Sequence, residues 1–120
     1  MEITQLSAVE LADAIREKRL SAREALDACL KRVDELNPAL NAIVDLQAER
    51  AVSAAAAIDV KVARARPLGR LAGVPLTIKS SIDVAALRCE CGSKFLEGRR
   101  AQHQVGRADR GADLSHGARP

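Results

Sequence analysis

Apolar positions fall at helical spacing through the first third of the chain. Ala8, Leu11, Ala12 and Ile15 recur at three- and four-residue steps, which puts them on one face of a helix running to about Arg19. Ala25, Leu26, Cys29, Leu30, Val33 and Leu36 mark the stripe of a second helix. Both helices start on the same device. In Ser7-Ala-Val-Glu10 and again in Ser21-Ala-Arg-Glu24, the serine hydroxyl can accept from the glutamate N–H while the glutamate carboxylate accepts from the serine N–H. Asn37-Pro38 predicts the end of the second helix, since proline disfavours the helical region at the residue before it. A short strand is expected over residues 40–45. An alanine-rich third helix is expected over 46–64, with its seam at Ala51, Ala55, Ile58 and Val62.

The spacing changes after Gly69. Gly69 and Gly73 supply backbone freedom, and Pro75 fits only a strand start or an edge. Val74 to Ile78 is mostly apolar, and Lys79 follows, so the pattern predicts a half-buried strand delivering one ammonium at its end. Residues 83–91 read as irregular and 92–98 as a turn with a short apolar grip.

Composition sharpens this picture in two ways. The 120 residues contain one Phe and no Tyr or Trp, so any core must be built from aliphatic side chains, which suggests a portion of a larger fold. The net charge of +3 sits entirely in residues 99–120, where five arginines face two aspartates. The remaining 98 residues are balanced, so no nucleic-acid footprint is expected. Cys29, Cys89 and Cys91 form no paired framework, which suggests a reducing compartment. No secretory leader and no apolar run of membrane-spanning length is present, so a cytoplasmic protein without membrane contact is expected. Residues 99–120 show neither a two-residue nor a 3.6-residue period and are expected to be poorly ordered.

Lys79 is the first candidate for chemistry. A lysine at a strand end is usually solvated, but a desolvated one gives up its proton and can act as a neutral general base. Ser80 and Ser81 follow it. On a strand Ser80 points to the opposite face and Ser81 lies two residues further, so neither is well placed as a nucleophile, and both suit a turn. Cys89-Glu-Cys91 supplies half of a tetrahedral metal site, and Cys29, His103 and His116 lie in unrelated segments, so no metal is expected. No Gly-Lys-Ser/Thr follows the Gly69–Gly73 turn, which excludes a phosphate loop.

Leu71-Ala-Gly-Val-Pro-Leu-Thr-Ile-Lys-Ser-Ser-Ile-Asp-Val-Ala85, followed by Cys91-Gly-Ser-Lys-Phe-Leu-Glu-Gly98, resembles the first block of the amidase signature family. The upstream helix pair, the Asn37-Pro-Ala-Leu-Asn-Ala42 link and the alanine-rich helix fit the same resemblance over residues 1–98. It implies a hydrolase that cleaves amide C–N bonds with a Ser–cis-Ser–Lys triad, in which Lys79 is the base. The neutral amine would take a proton from a bridging serine, which deprotonates the nucleophilic serine. Backbone N–H groups of a glycine-rich loop would hold the oxyanion. No Gly/Ser-rich segment that could bring the two serines occurs in these 120 residues.

The resemblance therefore implies an α/β fold: N-terminal helices plus the first strands of a mixed β-sheet, incomplete here. Residues 1–98 would be the N-terminal portion of an amidase domain. Residues 99–120 would be an atypical Arg/Gly/Ala-rich tail, disordered or out of frame. The substrate class is a small-molecule amide and no cofactor is implied. The chain alone is expected to be inactive, with Lys79 exposed. Two alternatives remain open: the A subunit of the tRNA-dependent amidotransferase, and a non-catalytic helical module that docks on a partner or a pseudogene product.

Overall fold

The structure, a computed structural model, describes residues 2–102. The described chain falls into two compact units, residues 2–75 and residues 76–102.

The first unit opens with a short 3-10 turn, Ile3–Gln5, and continues into helix α1, Ala8–Arg16. The capping box forms as the sequence predicts: Ser7 N–H donates to the Glu10 carboxylate at 2.8 Å and Glu10 N–H donates to Ser7 Oγ at 3.3 Å. The helix ends sooner than its apolar spacing predicts. Lys18 turns left-handed (φ 60°), its N–H donates to the Ile15 carbonyl, and Arg19 N–H donates to that of Ala14. This is a Schellman closure, and it satisfies carbonyls that a longer helix would have used itself. Leu11, Ala12, Ala14 and Ile15 are buried, whereas Ala8 is exposed.

Helix α2 runs from Ala22 to Leu40. The expected stop at Asn37-Pro38 is not observed. Pro38 lies inside the last turn, where its fixed φ is helical and only one backbone donor is lost. The chain leaves the helix at Asn41 instead, in the left-handed region at φ 48°. The strand expected over residues 40–45 is likewise not formed. Leu40 is the last helical residue, and the Asn37 side-chain amide takes both backbone groups of Ile43, accepting from its N–H and donating to its carbonyl at 2.9 Å each. With both groups occupied, Ile43 cannot join a ladder.

Helix α3, Ala48–Ala63, buries Ala55 and Ile58, with Ala51 and Val62 partly covered, on the predicted seam. One residue beyond the seam, Asp59 reaches the start of α2. Its two carboxylate oxygens accept from Ala22 N–H at 2.7 Å and Arg23 N–H at 3.1 Å. Ser21 Oγ accepts from Glu24 N–H at 3.0 Å. The first three donors of α2 thus all have partners, two of them on an anion placed where the helix dipole favours one.

The core joins Leu11, Ile15 and Leu26 to Ile58 of α3 and to Ala72 of the returning chain. Gly73 closes it in a conformation that L side chains rarely adopt (φ +86°). A Cβ there would stand 2.9 Å from Ile15 Cδ1 and 3.1 Å from the Ala22 methyl, so both the turn and the close approach require glycine. Arg16 fixes the same return by donating from Nη2 to the Arg70 carbonyl at 3.0 Å.

The second unit is built differently. Its only helical element among the described residues is a 3-10 turn, Lys94–Leu96. Among the described residues no strand forms, and β pairing is limited to one antiparallel bridge between Arg88 and Arg100. Of the expected α/β architecture the helices are therefore present. Val74–Lys79 carries no ladder, because a strand needs a neighbouring row of backbone groups and none of the described residues supplies one.

Candidate functional site

Lys79 lies in the second unit, at the end of the irregular stretch that begins at Val74. Its carbonyl accepts from Ile82 N–H at 2.9 Å, which closes a turn over Ser80 and Ser81. The two serines serve that turn, as their type suggests; Ser80 is half-buried and Ser81 exposed. The Lys79 side chain is exposed.

The turn after Lys79 is held by a more distant segment. Cys91 N–H donates to the Ser80 carbonyl at 3.2 Å. Around this link the chain forms a clip. Ala86 N–H donates to the Ala101 carbonyl, Ala101 N–H to Leu87, and Cys89 N–H to Arg99. Residues 99–101, the start of the arginine-rich tail, thus pair with residues 86–89. Residues 103–120, on which the rest of the expected tail falls, lie outside the described residues.

An ion pair closes the clip. Arg99 presents Nη1 to Asp83 Oδ1 at 2.8 Å and Nη2 to Oδ2 at 3.1 Å, a two-pronged contact that a planar guanidinium suits. Arg99 Nη1 also donates to the Cys89 carbonyl at 3.1 Å. The Arg99 guanidinium, followed by a hydrogen bond from the Cys89 thiol, holds the Asp83 carboxyl down at about 2, against its ordinary 3.8. The same pairing pushes Arg99 up. Cys89, 2% exposed, is pushed up first by its hydrogen bond to Asp83 and then by burial. An open recess of about 400 Å³ is lined by Ser81, Ile82, Asp83, Cys89, Cys91, Leu96 and Arg99.

The structure thus brings together Asp83, Cys89 and Arg99, a set that the sequence pattern does not reveal. By composition Arg99 belongs with the tail, and a contact spanning 16 residues leaves no periodic trace. Cys89 and Cys91, half of a metal site by residue type, do share the recess. Among the described residues, however, no group of three or more His, Cys, Asp or Glu is placed to hold a metal ion. Among the described residues no helix is long and apolar enough to cross a membrane.

Three comparisons relate this chain to known proteins. The model of the family described as Amidase matches residues 24–106. The chain is 38% identical over 97 residues to the A subunit of the glutamyl-tRNA(Gln) amidotransferase of Carboxydothermus hydrogenoformans, covering 81% of this chain and 20% of that protein. It is 43% identical over 96 residues to the corresponding protein of Solidesulfovibrio magneticus, covering 80% of this chain and 19% of that one. Among solved structures, an inhibitor-bound vestigial protein complex, described as revealing the evolutionary origins of an s-triazine catabolic enzyme, superposes with a TM-score of 0.76 at 31% identity. The match covers 82% of this chain and 22% of the neighbour. The chain therefore spans about a fifth of the length of the curated relatives it matches. Their name includes a tRNA, which sits against the expectation of no nucleic-acid partner.

Proposed function

Since the chain belongs to the amidase family, we propose that it carries the N-terminal part of a serine amidase site and that Lys79 is that site's base. The observation behind this reading is the family match over residues 24–106, which contains the whole Gly73-Val-Pro-Leu-Thr-Ile-Lys79 block. In the complete site the lysine amine, walled off from water, takes a proton from a bridging serine. The nucleophilic serine then attacks the amide carbonyl and an acyl-enzyme forms. Water releases the acid after ammonia or an amine has left. The 120 residues hold no glycine- and serine-rich segment, and Lys79 is exposed, so the chain alone releases no ammonia from amides.

A chimera tests this directly. Residues 24–98 of this chain replace the matching part of the Carboxydothermus hydrogenoformans relative, and ammonia release from amides is followed. The chimera is expected to turn over. Lys79→Ala in the chimera is expected to lower kcat by about 10³-fold or more, the loss typical of a triad member. An active Lys79→Ala chimera would overturn the assignment of the base. Ammonia release by the isolated 120-residue chain would overturn its inactivity.

The names of the relatives favour a second reading within the same chemistry: the chain as part of an amidotransferase that frees ammonia from glutamine. Relative turnover of glutamine and of simple aliphatic amides by the chimera separates the two readings.

A further inference from the structure

Cys89 and Cys91 stand out because they share a recess and differ in everything else. Cys91 is exposed, whereas Cys89 is buried. Both line the same 400 Å³ opening. Glu90 between them is turned elsewhere, its carboxylate accepting from Gly98 N–H at 2.9 Å. The backbone on either side is pinned, Cys89 N–H to the Arg99 carbonyl and Cys91 N–H to the Ser80 carbonyl. Two residues of chain separate their Cα atoms by at most roughly 7 Å, near the upper end of the range a disulfide spans.

We propose that Cys89 and Cys91 form a hydroperoxide-responsive dithiol, with Cys91 as the thiol that is oxidised first and Cys89 as the thiol that resolves it. The Cys91 sulfur attacks the distal oxygen of the hydroperoxide. The O–O bond breaks, leaving a sulfenic acid on Cys91 and one water or alcohol. The Cys89 sulfur then attacks the Cys91 sulfur. The S–O bond breaks, the S–S bond forms, and the departing oxygen leaves as water with the Cys89 proton. Overall, two thiols and one hydroperoxide give a disulfide, a water and a water or alcohol.

The division of roles follows from the surroundings. Cys91 faces solvent, so an oxidant reaches it first. Cys89 is buried, and the nearby Asp83 carboxylate together with that burial pushes its thiol up, which slows it toward free oxidant. It needs only to reach a residue two positions away that lines the same recess. The link would sit beside the Cys91 N–H bond to the carbonyl of Ser80, the residue after Lys79. The chemistry of the pair does not depend on any role for Lys79.

Peptide mapping decides the matter. The tryptic peptide of residues 89–94 contains both cysteines and no internal cleavage site. The reduced 120-residue chain is exposed to graded hydrogen peroxide, its remaining thiols are alkylated, and the digest is weighed. The expected product is a monomeric chain whose 89–94 peptide is two hydrogens lighter and unalkylated, with Cys29 still alkylated. In a Cys91→Ser chain, Cys89 is expected to stay alkylable at the same peroxide dose. The proposal is overturned if Cys91 proceeds to sulfinic acid while Cys89 stays alkylable, or if chains become cross-linked through Cys91. It is also overturned if Cys91→Ser loses the Cys89 thiol as fast as the parent. Should the variant fail to fold, the mass of the parent peptide decides alone.

Discussion

The two units hold their shape by opposite means. In residues 2–75, aliphatic side chains from three helices and a returning loop close around Ile15, 1% exposed, and every helix start in the α1–α2 pair is capped. In residues 76–102, only Val84, Cys89 and Ala101 are buried. The backbone there is tied by carbonyl contacts, one bridge and the Asp83–Arg99 pair, while Phe95, the only aromatic residue of the chain, is 94% exposed. Burial is non-directional and cooperative, whereas a clip of polar contacts opens one contact at a time. The helical unit has the means to stand as a scaffold. The segment that carries Lys79 has little apolar burial of its own to fix it.

The most forceful way to break this contrast is to hollow out the first unit. Ile15→Ala is expected to cost about 2–5 kcal/mol, a large part of the 5–15 kcal/mol typical of a domain, and to lower the urea midpoint of the helical circular dichroism signal accordingly. An unchanged midpoint would show that the apolar core is not what holds the helices. A smaller effect comes from Asp59→Ala, which strips two donors at the start of α2 of their partners. About 1–2 kcal/mol is expected in the same unfolding measurement. If the loss is no greater than for an exposed carboxylate elsewhere, the cross-helix cap contributes nothing.

The gentlest probe is acid, read in the second unit. Asp83 is depressed in the folded state, so its pairing stabilises the clip above the ordinary value of 3.8. That contribution fades as pH falls through about 2. Amide protection at Cys89 and Ala101, followed by NMR, is expected to decline over that window. Asp83→Asn is expected to abolish this pH dependence. Glu10 and Glu24 are also held low, by hydrogen bonds from Ser7 and Ser21, so acid reaches the helices through their caps as well. The Asn variant separates the two responses.

What the sequence made legible was local. Both capping boxes, the seam of α3 and the turn role of Ser80 and Ser81 are written in spacings of two to four residues. Where contacts bridge long separations, spacing was silent. Asp59 reaches a helix start 37 residues earlier, and Arg99 pairs with an aspartate 16 residues away. Pro38 misled because its penalty depends on position: near a helix end it costs a single hydrogen bond. The apolar run before Lys79 does read as a strand, but a strand is completed by a neighbour. In residues 2–102 no such neighbour is supplied, and Lys79 is exposed. The proposal that Lys79 is a base rests only on the family block around it, since composition and periodicity read it as a solvated surface charge.

Asn37 carries a consequence for the lifetime of the molecule. Its amide serves Ile43 as donor and acceptor at once, so conversion to aspartate would set a carboxylate against a carbonyl and spring the loop after α2. Asparagine ordinarily ages by letting the next backbone nitrogen attack its side chain, a step that requires that nitrogen to give up a hydrogen. The next residue here is Pro38, whose nitrogen has none. The proline that looked like a helix stop thus closes that route from amide to carboxylate at the side chain that secures the helix end.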